Sequence, residues 1–268
     1  MHDKPTKIQR STQSLFEIKT PKYQHYTMKQ KIVFLSLAIV FGTLTHLHAE
    51  VSAHLNFDPT GTAKSEFGWD ETQAGFFANA GLTKPGESHQ AAINAWQLPS
   101  NYGLPIAGYG IKSNKEGSIF RKLADANALI PGKSLYFSFT LRSGKTGGTR
   151  VSFAKEGTYP NQNNAVLQVR QISSGAIRLY EENISLATTA DTFFENTMLV
   201  VGFIDYTAGV FKLKVYKPHE TIDTTQKWDV TAQITPTGTY DRLAMRVANQ
   251  ASVGNVFIGD SWNDVTGL

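Results

Sequence analysis

The sequence predicts an all-β protein, a two-sheet antiparallel jelly-roll sandwich, from three observations. Apolar and polar residues alternate strictly through several short stretches, and a period of two gives a strand one buried face. Turn signals bearing Gly, Pro or Ser recur between those stretches at the spacing expected of sandwiches and barrels. Helical spacing fits only Ile119 to Leu129, and fits it weakly.

Taken in order, Val51 to Phe57 (VSAHLNF) and Leu135 to Leu141 (LYFSFTL) alternate without a break, so each predicts a half-buried strand. The same pattern predicts strands over Val166 to Arg170, Ala176 to Tyr180, Val210 to Tyr216, Leu243 to Val247 and Asn255 to Ile258. Met198 to Ile204 (MLVVGFI) is apolar throughout, which predicts a strand covered on both faces. Between them lie Pro131-Gly132, Gly144 to Gly148, Ser173 to Gly175, Ala208-Gly209 and Pro236 to Gly238. Each combines residues that favour turns, Gly because it tolerates positive φ and Pro because its φ is fixed. No internal repeat or low-complexity linker divides this region, so one domain is expected over residues 50–268.

The first fifty residues predict an address. Met28-Lys29-Gln30-Lys31 precedes the apolar run Ile32 to Gly42, then the more polar Thr43 to His48, then Ala49. A basic head, a short apolar stretch and a small residue before the cut are the parts of a secretory signal peptide. The run is too short to span a bilayer, which takes about 20 residues. The expectation is a signal peptide over residues 28–49, cut after Ala49, with residues 1–27 an upstream extension and Met28 the true start. Export by this route leaves the remainder secreted, with no membrane insertion after cleavage.

This address reassigns the charge. The 268-residue chain carries a formal net charge of +4 from 26 basic and 22 acidic side chains. Residues 1–49 hold 7 of the basic groups and 2 of the acidic ones, leaving 19 against 20 and a net of −1 on residues 50–268. Nucleic acid thereby loses its compositional support as a partner. With no cysteine, thiolate catalysis, Cys-ligated zinc and iron–sulfur clusters are excluded.

Toward the C-terminus the succession of strands becomes distinctive. Asn196 to Asp205, the lysine-alternating Phe211 to Tyr216, Tyr240 to Arg246, and Gly254-Asn-Val-Phe-Ile-Gly-Asp-Ser-Trp-Asn-Asp-Val265 together resemble secreted bacterial LamG-like domains of the concanavalin A-like lectin and glucanase superfamily. The similarity extends upstream through Ser134 to Arg142 and loosely to Leu55. It implies a concanavalin A-like jelly roll serving as lectin, enzyme or adhesive module, with Trp262 in the core. The chain departs from the family at Gly254 and Asn255, where the family tends to carry acidic residues.

Catalytic spacing is sparse. Glucanases of this superfamily place carboxylates at E-x-D-x-x-E along one strand so that alternating side chains share a face. Glu181 and Glu182, like Asp70 and Glu71, are adjacent and would point to opposite faces. A polysaccharide lyase needs a base with Arg, Gln or Asn to neutralise a uronate carboxylate. Tyr159 near Asn161, Gln162 and Asn163, with Arg150, Arg170 and Arg178, is the nearest approach to that set. Gly259-Asp260-Ser261 imitates an esterase nucleophile block but stands too near the C-terminus. Gly144 to Gly148 lacks the earlier Gly of a phosphate loop.

The remaining signal is aromatic and amide side chains in expected loops. Sugars present apolar C–H faces that stack on rings, and hydroxyls that pair with amides. Trp96, Asn101, Tyr102, Tyr109, Tyr159, Asn161 and Asn163 are therefore the candidate carbohydrate-binding residues. Asp58 and Asp205 are candidate ligands for one structural Ca²⁺, which takes hard oxygen donors; no other cofactor is required. The expected function is a secreted, non-catalytic carbohydrate-binding or adhesive LamG-like module whose partner is a polysaccharide or glycan. The alternative is a polysaccharide-degrading enzyme, a lyase before a glycosidase, on the same fold.

Overall fold

The computed structural model of the chain describes residues 51–57, 63–67, 77–78, 90–92, 98–105, 109–112, 117–142, 148–155, 166–193, 196–248 and 251–268. The chain divides into Met1–His48 and Ala49–Leu268, and every described residue belongs to the second unit. Among the described residues sixteen strands run in chain order: β1 (Val51–Phe57), β2 (Ala63–Phe67), β3 (Phe77–Ala78), β4 (Gln90–Ala92), β5 (Tyr109–Lys112), β6 (Gly117–Lys122), β7 (Ser134–Arg142) and β8 (Arg150–Lys155) come first. They are followed by β9 (Val166–Gln171), β10 (Ala176–Glu181), β11 (Ile184–Thr192), β12 (Thr197–Asp205), β13 (Val210–Tyr216), β14 (Val230–Gln233), β15 (Tyr240–Val247) and β16 (Ser252–Gly259). One short helix, α1 (Trp262–Thr266), closes the described chain.

The strands form two antiparallel sheets. One has nine strands in the order β14-β13-β12-β7-β16-β1-β5-β4, with β2 on the side of β1; the other has seven in the order β11-β10-β9-β8-β15-β6-β3. This is the two-sheet jelly-roll sandwich that the sequence predicts. The first strand, β1, lies against the last, β16, so both ends of the domain are tied into one sheet. Of the strands read from alternation, all appear. Strands β2, β3, β4, β5, β6, β8, β11 and β14 are additional, and Ile119 to Leu129 is not a helix. Its first part belongs to β6, and a single 3₁₀ turn, Asp125–Asn127, follows. Strand pairing along β15 from Lys122 to Gly117 overrides the weak helical spacing there.

The core lies between the sheets. Leu135, Phe137, Phe139 and Leu141 of β7 and Met198, Val200 and Ile204 of β12 meet Val151 and Phe153 of β8, Leu167 and Val169 of β9, and Leu243 and Met245 of β15. The Phe137 ring sits at its centre, with the rings of Phe153 and Phe211 edge-on at 5.1 and 6.2 Å. Gly202, directly opposite Phe137 in the register, makes room for that ring: a Cβ there would overlap it.

The outer face of the nine-stranded sheet is covered as well. Leu199 and Val201 of β12, Tyr216 of β13 and Phe257 of β16 form a second cluster with Leu98, Ile222, Trp262 and Val265. That cover explains why β12 is apolar at consecutive positions. Trp262 is buried there, its ring perpendicular to Trp228 at 5.3 Å, as the family resemblance implies.

Candidate functional site

The candidate sugar-binding residues fall into three groups. Trp96, Tyr159, Asn161, Asn163 and the candidate calcium ligand Asp58 lie outside the described residues. Tyr109 does not belong to a loop: it opens β5, paired with Phe57 and Ala92. Asn101 and Tyr102 do lie in an irregular segment, but both are turned to structural use. The Asn101 amide imitates a strand partner, its Oδ1 accepting the Ile222 N–H at 2.7 Å while its Nδ2 donates to the Ile222 carbonyl at 3.1 Å. Tyr102 packs on the second cluster with its ring edge-on to Phe257 at 6.5 Å. Burial pushes its hydroxyl well above the ordinary phenol range, an effect that the neighbouring Ser138 hydroxyl offsets in part. Both residues are half-buried.

Asp205 ends β12, and its Oδ1 accepts the Ala208 N–H at 2.8 Å, tightening the turn into β13. Among the described residues no group of three or more His, Asp or Glu side chains is placed to hold a metal ion. Ser261, at the esterase-like block, is the N-cap of α1: its Oγ accepts the Asp264 N–H at 3.2 Å. Asn255 takes a left-handed φ of 44° where the β16–β7 register slips between Gly254 and Phe257. Asn tolerates that conformation better than most residues, which accounts physically for an amide at this place.

What the structure assembles instead lies on the outer face of the seven-stranded sheet. The registers place Arg178 of β10 opposite Arg170 of β9, Arg170 opposite Arg150 of β8, and Arg150 opposite Arg246 of β15. Core residues occupy the alternate positions on each of these strands, so all four guanidiniums stand on the side away from the core, each half-buried. The adjoining row reads Tyr180, Gln168, Ser152 and Ala244 in the same strand order. At the β15 end the basic surface continues into Arg242, opposite Lys122 of β6. Those two have acidic neighbours, Asp241 at 3.4 Å from Arg242 and Asp125 at 3.8 Å from Lys122.

The row is organised by short polar contacts. The Arg170 guanidinium lies over the Tyr180 ring at 4.2 Å and donates from Nη2 to Gln168 Oε1 at 2.9 Å. Arg178 donates from Nε to Thr188 Oγ1 at 2.8 Å and from Nη1 to the Tyr180 hydroxyl at 3.4 Å. Gln168, itself buried, fixes its amide by donating to the Glu182 carbonyl at 3.2 Å. Burial draws the Arg170 guanidinium below its ordinary value; the charges of Arg246 and Arg178 act in the same direction, and Tyr180 opposes them. A guanidinium starts so high that it stays charged at any working pH. Arg150, Arg170 and Arg178 appear in the sequence-based lyase set; Arg246, Gln168 and Tyr180 were not legible as their companions, because the register that aligns them joins strands distant in sequence.

No family model and no curated protein matches the chain. Among solved structures it is similar to the exoplasmic/lumenal domain of VIP36 in its Ca²⁺/Man2-bound form, with a TM-score of 0.44 and 9% identity over 78% of this chain and 88% of that one. It is similar to the Lotus tetragonolobus seed lectin with a TM-score of 0.40 and 10% identity, over 54% of this chain and 81% of the lectin. It is also similar to a sialidase with a TM-score of 0.44 and 13% identity, covering 80% of this chain and spanning 19% of the sialidase. The sheet order and registers, rather than these likenesses, carry the assignment of the fold as a two-sheet jelly roll. Among the described residues no helix is long and apolar enough to cross a membrane.

Proposed function

We propose that the domain is a secreted, non-catalytic glycan-binding module whose binding surface is the outer face of the seven-stranded sheet. The carrying observation is the pair of adjoining rows on that face, Arg178, Arg170, Arg150 and Arg246 beside Tyr180, Gln168, Ser152 and Ala244. On that face the arginines are half-buried while Tyr180, Gln168, Ser152 and Ala244 are buried, so it is the guanidiniums that would meet the ring and chain oxygens of a sugar. Their preorganisation lowers the ordering cost of binding. The loop residues Asn101 and Tyr102 are absent from this surface because each is engaged elsewhere.

A glycan array probed with the domain tests this reading. Binding that is lost on Gln168→Ala with Arg170→Ala, while the far-ultraviolet spectrum stays that of a β protein, is the expected result. Retention by no polysaccharide would overturn it.

One observation favours a second reading, the polysaccharide lyase: the row sets several arginines where a uronate carboxylate would need neutralising, with the Tyr180 phenol among them. A lyase leaves an unsaturated product that absorbs in the ultraviolet. Rising absorbance with a uronate polymer would select the lyase; a flat trace with binding retained selects the module.

A further inference from the structure

The outer face of the nine-stranded sheet carries a separate arrangement of side chains. Leu135, Phe137, Ile204, Phe211 and Leu213 belong to the core, so their neighbours Tyr136 of β7, Phe203 of β12 and Lys212 of β13 stand on the outer face. The register sets these in one row: Tyr136 lies opposite Phe203, Phe203 opposite Lys212, and Lys212 opposite Thr231 of β14. Trp228, just before β14, completes a group of three rings. The Tyr136 and Trp228 centroids lie 4.5 and 6.2 Å from that of Phe203 and 6.5 Å from each other, at interplanar angles of 40°, 30° and 25°. All three rings are half-buried, and Phe203 lies beyond the second cluster, which covers Leu199 and Val201 further along β12.

Polar groups surround this apolar floor. The Tyr136 hydroxyl donates to Gln226 Oε1 at 3.3 Å, the Lys212 ammonium stands 5.6 Å from the Phe203 centroid, and Thr231 is exposed. Gln226 holds a left-handed φ of 54°, which a non-glycine residue adopts only at a cost. The segment that carries it is tied at both ends. Asp223 Oδ1 accepts the Thr225 N–H and hydroxyl, both at 2.7 Å, while the Asp229 carboxylate takes Lys214 Nζ and the Val215 N–H, both at 2.8 Å. Buried Trp262 meets Trp228 at right angles at 5.3 Å, fixing that ring as well.

We infer that Tyr136, Phe203 and Trp228 form a stacking platform for one pyranose ring of a neutral glycan, with Lys212 and Gln226 hydrogen-bonding its hydroxyls at the rim. The site goes beyond the glycan-binding reading above, since it lies on the other sheet and stands or falls without the arginine row. A pyranose has apolar C–H faces and a rim of hydroxyls, and a floor of rings edged by an amide, an ammonium and hydroxyls is its complement. The platform is already ordered, so little rotamer freedom is lost when a sugar settles on it. A second copy of the chain is the competing occupant. Three rings, each open only in part, fall far short of the ~800 Å² per partner that a stable interface buries.

The test is titration calorimetry of the full domain with cellohexaose, xylohexaose and mannohexaose, each at low and high salt. Binding to at least one of them is expected, with an affinity that salt leaves nearly unchanged because the ligand is uncharged. Affinity is expected to fall about tenfold in Trp228→Ala and in Phe203→Ala, and Trp228→Phe, which keeps a ring in place, should recover most of the loss. Gln226→Gly separates binding from folding. Glycine takes the left-handed φ without strain, so the unfolding midpoint is expected to hold or rise while affinity falls severalfold. Binding of none of the three sugars overturns the inference and leaves the arginine face to its own test. Unchanged affinity in Trp228→Ala, Phe203→Ala or Gln226→Gly overturns it too. Sedimentation showing a dimer that Trp228→Ala dissolves would give the rings to a second copy and overturn it likewise.

Discussion

Asn101 shows how the same side-chain chemistry serves either a ligand or the fold. A carboxamide offers one acceptor and two donors, which suits a sugar hydroxyl and equally suits a peptide group. Here it is a peptide group that it meets: both of its polar atoms are taken by the backbone of Ile222, and the segment 98–105 is thereby fastened to the stretch after β13. Removing the amide leaves the Ile222 N–H and carbonyl without those partners, so Asn101→Ala is expected to cost roughly 1–3 kcal/mol of stability. Denaturant midpoints measure that loss, and glycan affinity is expected to stay unchanged. A fall in affinity without a fall in stability would return Asn101 to the binding surface. Tyr102 teaches the same point with a ring: aromatic and amide residues in a loop of this sequence were readable as chemistry, but which way each turned depended on the second cluster, built from strands far away in the chain.

At the level of elements, what could be read from the sequence was whatever local periodicity decides. β7 and β13 alternate because one face meets the core and the other does not, and β12 breaks alternation because Leu199 and Val201 are covered by Trp262, Val265 and their neighbours. The Arg row was not legible, because nothing local says that β8 pairs with β15, a strand some ninety residues further on. The helix α1 escaped for the opposite reason: at five residues it has no period to detect. Its signal was the capping box. Ser261 accepts the Asp264 N–H, and the Asp264 carboxylate accepts the Ser261 and Asp260 N–H groups at 2.7 and 2.9 Å. Ser261→Ala is expected to cost about 1 kcal/mol. Because α1 presses Trp262 and Val265 onto the outer face of the nine-stranded sheet, the loss should show as a lowered unfolding midpoint followed by tryptophan fluorescence. An unaltered midpoint would mean that side-chain packing, without the cap, holds this helix in place.

At the scale of the whole molecule, net charge and charge placement answer different questions. Total charge governs migration and long-range steering, whereas a ligand in contact with a surface responds to the charges within about a Debye length, near 10 Å at moderate salt. The full sequence carries +4, and residues 50–268 carry −1. If the leader is removed after Ala49, the processed protein should migrate toward the anode at pH 8 in native electrophoresis, while the full chain migrates toward the cathode. N-terminal sequencing of exported protein should begin at Glu50. A processed protein still moving to the cathode would place the cut upstream of the basic head at Lys29 and Lys31.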